Sequence, residues 1–172
     1  MRIHVVLVGA TVVLGLSSCA SSRSAPTASA KAAIEARSGS TLSGTATFTE
    51  RAGGGVHLVV DVSGAPAGVH AVHLHEKGDC SAPDASSAGG HFNPTGLPHA
   101  GPTAEKHHAG DFGNVTVGDD GKGHLELDSS MLTLGAGEMS LKGHAIIVHA
   151  KADDLVTQPT GNAGGRIGCG VF

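Results

Sequence analysis

The chain of 172 residues contains no tryptophan and no tyrosine, and four phenylalanines are its only aromatic side chains besides histidine. Its core must therefore be aliphatic, and no row of aromatic rings is available on which bases could stack. Charge is sparse as well: Asp, Glu, Lys and Arg together make up 15% of the residues, with fifteen acids against eleven bases. Without a basic patch or a stacking surface, no nucleic-acid partner is expected. Long apolar runs are also missing. The mostly apolar stretch from Ile3 to Leu16 falls short of the roughly 20 residues that a membrane-spanning helix needs.

That short run suits another purpose. It follows Arg2 and leads into "LSSC", ending at Cys19, so residues 1–18 read as a signal peptide of lipoprotein type, with Cys19 acylated as the first mature residue. The alternative is an ordinary cleaved signal, with "ASA" at residues 28–30 as its cleavage site. Both readings export the protein to the periplasm or cell envelope, and the first adds a membrane anchor. Residues 19–40 are Ala/Ser-rich with almost no large apolar side chain, which reads as a lipidated cysteine and flexible tether. Residues 41–172 then form one domain, large enough to bury a single core. With Cys19 assigned to the lipid, Cys80 and Cys169 remain as an even pair. In an oxidising compartment they read as a disulfide; two free thiols are the alternative.

The domain is patterned as strands and turns. In "GGGVHLVVDVSG", Val56, Leu58, Val60 and Val62 alternate with His57, Val59 and Asp61, the period of a half-buried strand. "TLSGTATFTE", "VHAVHLHE", "GHAIIVHA" and "RIGCGVF" read as further strands, and Asp120-Gly121 as the turn of a hairpin in "FGNVTVGDDGKGHLELDSS". Between Glu76 and Gly110 lies a long Gly/Pro/His-rich segment without periodicity, a length that usually serves function. Many short strands without a helix predict an all-β sandwich or barrel.

Histidine is abundant, at twelve residues. His73 and His75 stand two apart and so project from one face of a strand, opposite Val72 and Leu74, while His70 points away. Two imidazoles side by side suit copper or zinc, although two surface histidines are the plain alternative. In the long loop, His91, His99, His108 and Asp111 offer three imidazoles and a carboxylate, a donor set for a closed tetrahedral zinc site. His149 ends an apolar strand, and Asp153 four residues on is placed to orient a ligand imidazole.

In order, the motifs H-x-H, G-H-F-N-P, H-x-G-P, H-x-G-D-x-G-N-V, V-H-x-K-A-D-D and G-N-A-G-x-R-x-x-C-G-V resemble the copper/zinc superoxide dismutases, from about residue 42 to the end. The resemblance implies an eight-stranded Greek-key β-barrel or sandwich with long metal-binding loops. It further implies dismutation of superoxide to O2 and H2O2 by a redox-cycling copper, bridged through a histidine to a structural zinc, with one ion of each per subunit. Carried over by motif, His73, His75, His91 and His149 would hold copper. His91, His99, His108 and Asp111 would hold zinc, with His91 shared between the metals. Asp153 matches an aspartate linking a copper ligand to a zinc ligand, and Arg166 the arginine that orients the anion. Cys80 and Cys169 match the family's intrasubunit disulfide.

Departures accompany the match. The interval from Cys80 to His91 is of the length seen in the bacterial exported branch. "LVTQPTGNAGGR" is shorter than the eukaryotic electrostatic loop and lacks its Glu and Lys. Lys77, Lys106 and Lys151 are candidate substitutes for steering the anion. Homodimer and monomer both remain open. His4 lies in the signal, and His57, His70, His124 and His144 match no family position, so they read as ordinary residues. His107 lacks the spacing to Asp111 that His108 keeps, leaving it at most an accessory contact. The competing class is a non-catalytic metal carrier on the same fold, which would be expected to lose Arg166 or some of the copper positions.

Overall fold

The computed structural model describes Met1 and residues 27–172; the signal segment and Cys19 lie outside the described residues. Among the described residues there are eight strands: β1 (Ser29–Ala36), β2 (Ser43–Glu50), β3 (Val56–Ser63), β4 (Gly68–His75), β5 (Asp111–Val117), β6 (Gly123–Ser129), β7 (Ala145–His149) and β8 (Arg166–Val171). All pairings are antiparallel and close a barrel in the order β1-β2-β3-β6-β5-β4-β7-β8. The short β3–β4 connection crosses the barrel end, and β4, β5 and β6 then run back to lie beside β3, a Greek-key arrangement. The expected all-β barrel is thus observed.

Alternation places the core as the sequence predicts. Val56, Leu58, Val60 and Val62 of β3 are buried at 4% exposure or less. Most of the interior is aliphatic, and Phe48 meets Phe112 and Phe172 edge-on at centroid distances of 5.8 and 5.0 Å. The Asp120-Gly121 hairpin also forms: Gly118 and Lys122 close it through a 2.9 Å N–H···O bond, with Gly121 at φ +73°.

One boundary is corrected. Residues 29–36, assigned to the tether, form β1, which pairs with β2 at six positions and with β8 through Glu35–Cys169 and Ala36–Gly168. Ala32 and Ile34 alternate inward at 2% exposure each. Composition missed this strand because its stabilisation comes from the backbone ladder that closes the barrel between β2 and β8. Alanine is large enough there, since closure satisfies two sheet edges at once.

The site-bearing loops leave from neighbouring strands. β4 pairs with β7 from Val72–Val148 to His75–Ala145; the loop after β4 spans 76–110 and the loop after β7 spans 150–165. The first is attached to the outside of the barrel, where Ala85 and Ala88 pack with Ala145, Ile147 and Cys169. Cys80 and Cys169 are disulfide-bonded across 89 residues, a constraint worth about 4–5 kcal/mol in the chain-entropy description.

The corrected boundary is testable. Ile34→Ala should lower unfolding stability by about 2–4 kcal/mol in a urea titration, the range for emptying a buried aliphatic site. A tether residue would leave the midpoint unchanged.

Candidate metal centre

Strand geometry delivers the first histidines. Val72 and Leu74 enter the barrel core while His73 and His75 leave the opposite face of β4, and all four are buried at 1% exposure or less. His149 ends β7, one residue past the Val72–Val148 pair. The long loop folds back onto β4 through a 2.8 Å bond from the Phe92 N–H to the Leu74 carbonyl and a bridge between His75 and His91. The His91 ring then stacks on His73 at 3.9 Å between centroids.

Hydrogen bonds decide which ring nitrogens remain free. The His75 Nδ1–H donates to the Gly89 carbonyl at 2.9 Å, and the His149 Nδ1–H to the Gly164 carbonyl at 3.3 Å. The His73 Nε2–H donates to Asp153 Oδ2 at 2.8 Å. Carbonyl and carboxylate oxygens only accept, so His73 Nδ1, His75 Nε2 and His149 Nε2 carry lone pairs. His75 Nε2 and His149 Nε2 face one another at 3.4 Å, and His73 Nδ1 and His91 Nε2 are buried without a hydrogen-bond partner. Ligand atoms of these four residues lie within 4.8 Å of one another. A buried cluster of unsatisfied acceptors is costly unless a cation sits among them, so the residues fit a metal.

The opposite side of His91 presents a second set. His91 Nδ1, His99 Nδ1 and His108 Nδ1 lie 2.9, 3.0 and 3.3 Å from Asp111 Oδ1, and His108 Nδ1 is 3.4 Å from His91 Nδ1. Tetrahedral zinc with ~2.05 Å bonds separates its ligands by about 3.3 Å. Asp111 Oδ2 accepts the backbone N–H of His108 at 2.9 Å and of Ala100 at 3.2 Å, which aims Oδ1 at the imidazoles. His99 Nδ1 makes no hydrogen bond despite its nearness to Asp111, as befits two donors pointing at one ion. Proximity alone groups His73 with His91, His99 and Asp111. After its bond to Asp153, however, His73 has one nitrogen left and can serve only one set, and His108 Nδ1, 3.3 Å from Asp111 Oδ1, stands at the open position of the second.

Asp153 joins the sets, its Oδ1 accepting from His99 Nε2 at 2.9 Å while Oδ2 takes His73. It is itself held by Asn114 of β5, which accepts the Asp153 N–H at 2.7 Å and donates to its carbonyl at 3.0 Å. Gly161, at φ +63°, approaches so closely that a β-carbon there would overlap the Asp153 carboxylate. Arg166 stands at the start of β8 with its guanidinium donating to Ala85 O at 2.7 Å and Gly89 O at 2.6 Å. The Gly89 carbonyl therefore serves both Arg166 and His75.

Burial sets the electrostatics. It pushes His75 down to about 2 and His149 to about 4, with neighbouring imidazoles and Arg166 adding to the effect, and it holds His73 well below its ordinary value. Neutral imidazole is the form that binds metal. At His99 burial opposes the charge, but Asp153 and Asp111 outweigh it and raise the pKa. Asp111 is lowered despite burial, by the hydrogen bond from His91 and the charges of His108 and His99.

Several side chains escaped sequence reasoning. His70 does point away from His73, yet it is no ordinary surface residue. At 4% exposure its ring sits within 2.9 Å of both the Pro66 and the His149 carbonyls, bracing the backbone that carries His149. His144 stacks on Phe92 at 4.1 Å and reaches the His75 carbonyl at 3.1 Å. Period-two spacing gave only the face of His70 and nothing for His144, because carbonyl partners leave no mark in sequence. His107 bonds the His108 carbonyl at 2.7 Å, and His57 and His124 lie on the outer surface beside Asp128 and Asp61. Lys77, Lys106 and Lys151 are all exposed.

Comparison with known proteins gives concordant results. The copper/zinc superoxide dismutase (SODC) family profile matches residues 42–172. A Cu-Zn superoxide dismutase of Deinococcus radiodurans is 43% identical over 142 residues, covering 76% of this chain and 77% of its own. A crystal structure of a SOD-like protein from Bacillus subtilis superposes with TM-score 0.72 at 34% identity, covering 81% of this chain and 95% of its own. A clock protein does so with TM-score 0.76 at 36% identity, covering 84% and 93%.

The depressed histidines set a pH dependence for the metal-free protein. Their folded pKa values lie below the ordinary 6.5, so the unfolded chain binds more protons between the two values. Stability is then full above about pH 6.5 and falls as pH drops towards 4 and below. The urea midpoint of metal-free protein should be lower at about pH 5 than at about pH 7.5, by a margin that shrinks in His149→Gln; equal midpoints at both pH values would contradict this.

Proposed function

This chain belongs to the copper/zinc superoxide dismutase family, and from that premise we propose which of its residues carry the dismutation and where it works. The enzyme converts two superoxide anions and two protons to O2 and H2O2, with copper and zinc as its cofactors. Copper would be held by His73, His75, His91 and His149 through the nitrogens their hydrogen bonds leave free, and zinc would be held by His91, His99, His108 and Asp111. The convergence of ring nitrogens on both sides of one imidazole, His91, with its Nε2 and the His73 and His99 Nδ1 atoms unpartnered, is the observation that carries this assignment.

Bound copper supplies a one-electron redox couple, and bound zinc, which has no redox chemistry, supplies fixed charge. The chain's own residues do the rest. Arg166 presents a fixed cation with directional N–H donors to a small anion, at a position set by the Ala85 and Gly89 carbonyls. His91 Nε2 is the atom at which the protein can take up a proton and hand it on to the reduced product. Asp153 fixes the tautomers of His73 and His99, which directs one nitrogen of each to its metal. A carrier role is disfavoured because Arg166 and all four copper positions are retained.

The protein acts outside the cytoplasm, anchored through lipid on Cys19. The short apolar run ending at that cysteine and the Cys80–Cys169 disulfide support this reading.

Reconstituted with both metals, the protein should remove superoxide, and an inactive, fully metallated protein would end the reading. His149→Ala should lower activity about a hundredfold or more while retaining one zinc per chain; metal analysis beside superoxide decay checks both. Cys19→Ser should shift the protein from the membrane to the soluble fraction on cell fractionation, and an unchanged distribution would exclude the lipid anchor.

A further inference from the structure

The turn between β1 and β2 touches Arg166 from two directions. Its Arg37 N–H and Ser40 hydroxyl both donate to the Ile167 carbonyl, at 2.9 and 2.6 Å, and the Ser38 hydroxyl donates to the Arg166 carbonyl at 2.8 Å. These bonds hold the backbone on which the Arg166 side chain is rooted. The same turn grips the loop that receives the other end of that side chain. The Ser38 N–H donates to the Pro83 carbonyl at 2.8 Å, and Arg37 Nε–H to the Cys80 carbonyl at 3.0 Å. A few residues on, Ala85 and Gly89 supply the carbonyls that cradle the Arg166 guanidinium.

Resting on the assignment of Arg166 as the anion-orienting cation, we infer that Arg37 and Ser38 are positioning residues that hold Arg166 and its carbonyl cradle in register. Arg37 acts through directional bonds. Its guanidinium donates to the Ala36 carbonyl at 2.6 Å and pairs with Glu35 at 3.4 Å, and its side chain is only 17% exposed. Its charge is thus paired locally with that of Glu35. The backbone of a loop cannot hold a guanidinium to a fraction of an ångström unless the loop is itself fixed, and functional geometry depends on such support. Sequence offered no hint of this role, because the turn falls in the stretch that composition assigns to a tether.

The disulfide and the β1–β8 ladder persist without the Arg37 side chain, so variants should fold. Azide is a suitable probe: a small monovalent anion that binds Cu(II). Its affinity, read by optical titration of the copper- and zinc-loaded full chain, should fall about three- to tenfold in Arg37→Ala, with metal content and disulfide intact. Ser38→Ala should shift it in the same direction by less. Because the effect is routed through Arg166, adding Arg37→Ala to Arg166→Ala should change azide affinity no further. Wild-type affinity in Arg37→Ala, or an equal loss in both backgrounds, would overturn the inference. If Arg166→Ala itself binds azide as the unaltered protein does, the assignment of Arg166 fails instead.

Discussion

The centre depends on one buried carboxylate. Asp153 accepts N–H bonds from His73 and His99 on its two oxygens, and this single choice determines which nitrogen of each ring is left for a metal. Six imidazoles and a second carboxylate crowd the same space, so without that constraint many protonation patterns would compete. Asn114 holds the Asp153 backbone from β5, and Gly161 leaves just enough room for its side chain. The interaction also crosses the boundary between the two ligand sets. Disturbing Asp153 would therefore loosen both sets at once.

The barrel supplies what such a centre needs, a platform that does not move. His73, His75 and His149 stand on paired neighbouring strands, and the loop after β4 is anchored beside them by a disulfide and a small apolar cluster. The same architecture is shared with a clock protein and with a protein called only SOD-like. Fold alone therefore does not assign the activity. The assignment rests on the residues: ring nitrogens converging on both faces of His91, with Arg166 fixed beside His75 by a common carbonyl.

The sequence disclosed most of this because the chemistry lies in short, rigid segments. A period of two placed His73 and His75 together, and it put Val72 and Leu74 in the core, without any knowledge of their neighbours. His91, His99, His108 and Asp111 of the long loop were visible as residue types at spacings that match a family. What remained hidden had two physical causes. β1 was invisible because its value lies in backbone pairing between β2 and β8, which small side chains such as Ala32 serve as well as large ones. The carbonyl acceptors of Pro66, Gly89, Gly164 and Ala85 were invisible because every residue has a carbonyl, and only the fold determines where it points. His70 belongs to this second group, its role set by two backbone oxygens from elsewhere in the chain.

The central claim is that two metals share one imidazole. Anomalous diffraction from crystals of the copper- and zinc-loaded protein, recorded at both absorption edges, tests it most directly. The account predicts a copper peak among His73, His75, His91 and His149 and a zinc peak among His91, His99, His108 and Asp111. With His91 between them, the peaks should stand about 6 Å apart, the sum of two ~2 Å bonds and the span of an imidazole ring. A single peak, or two peaks that do not both contact His91, would contradict it.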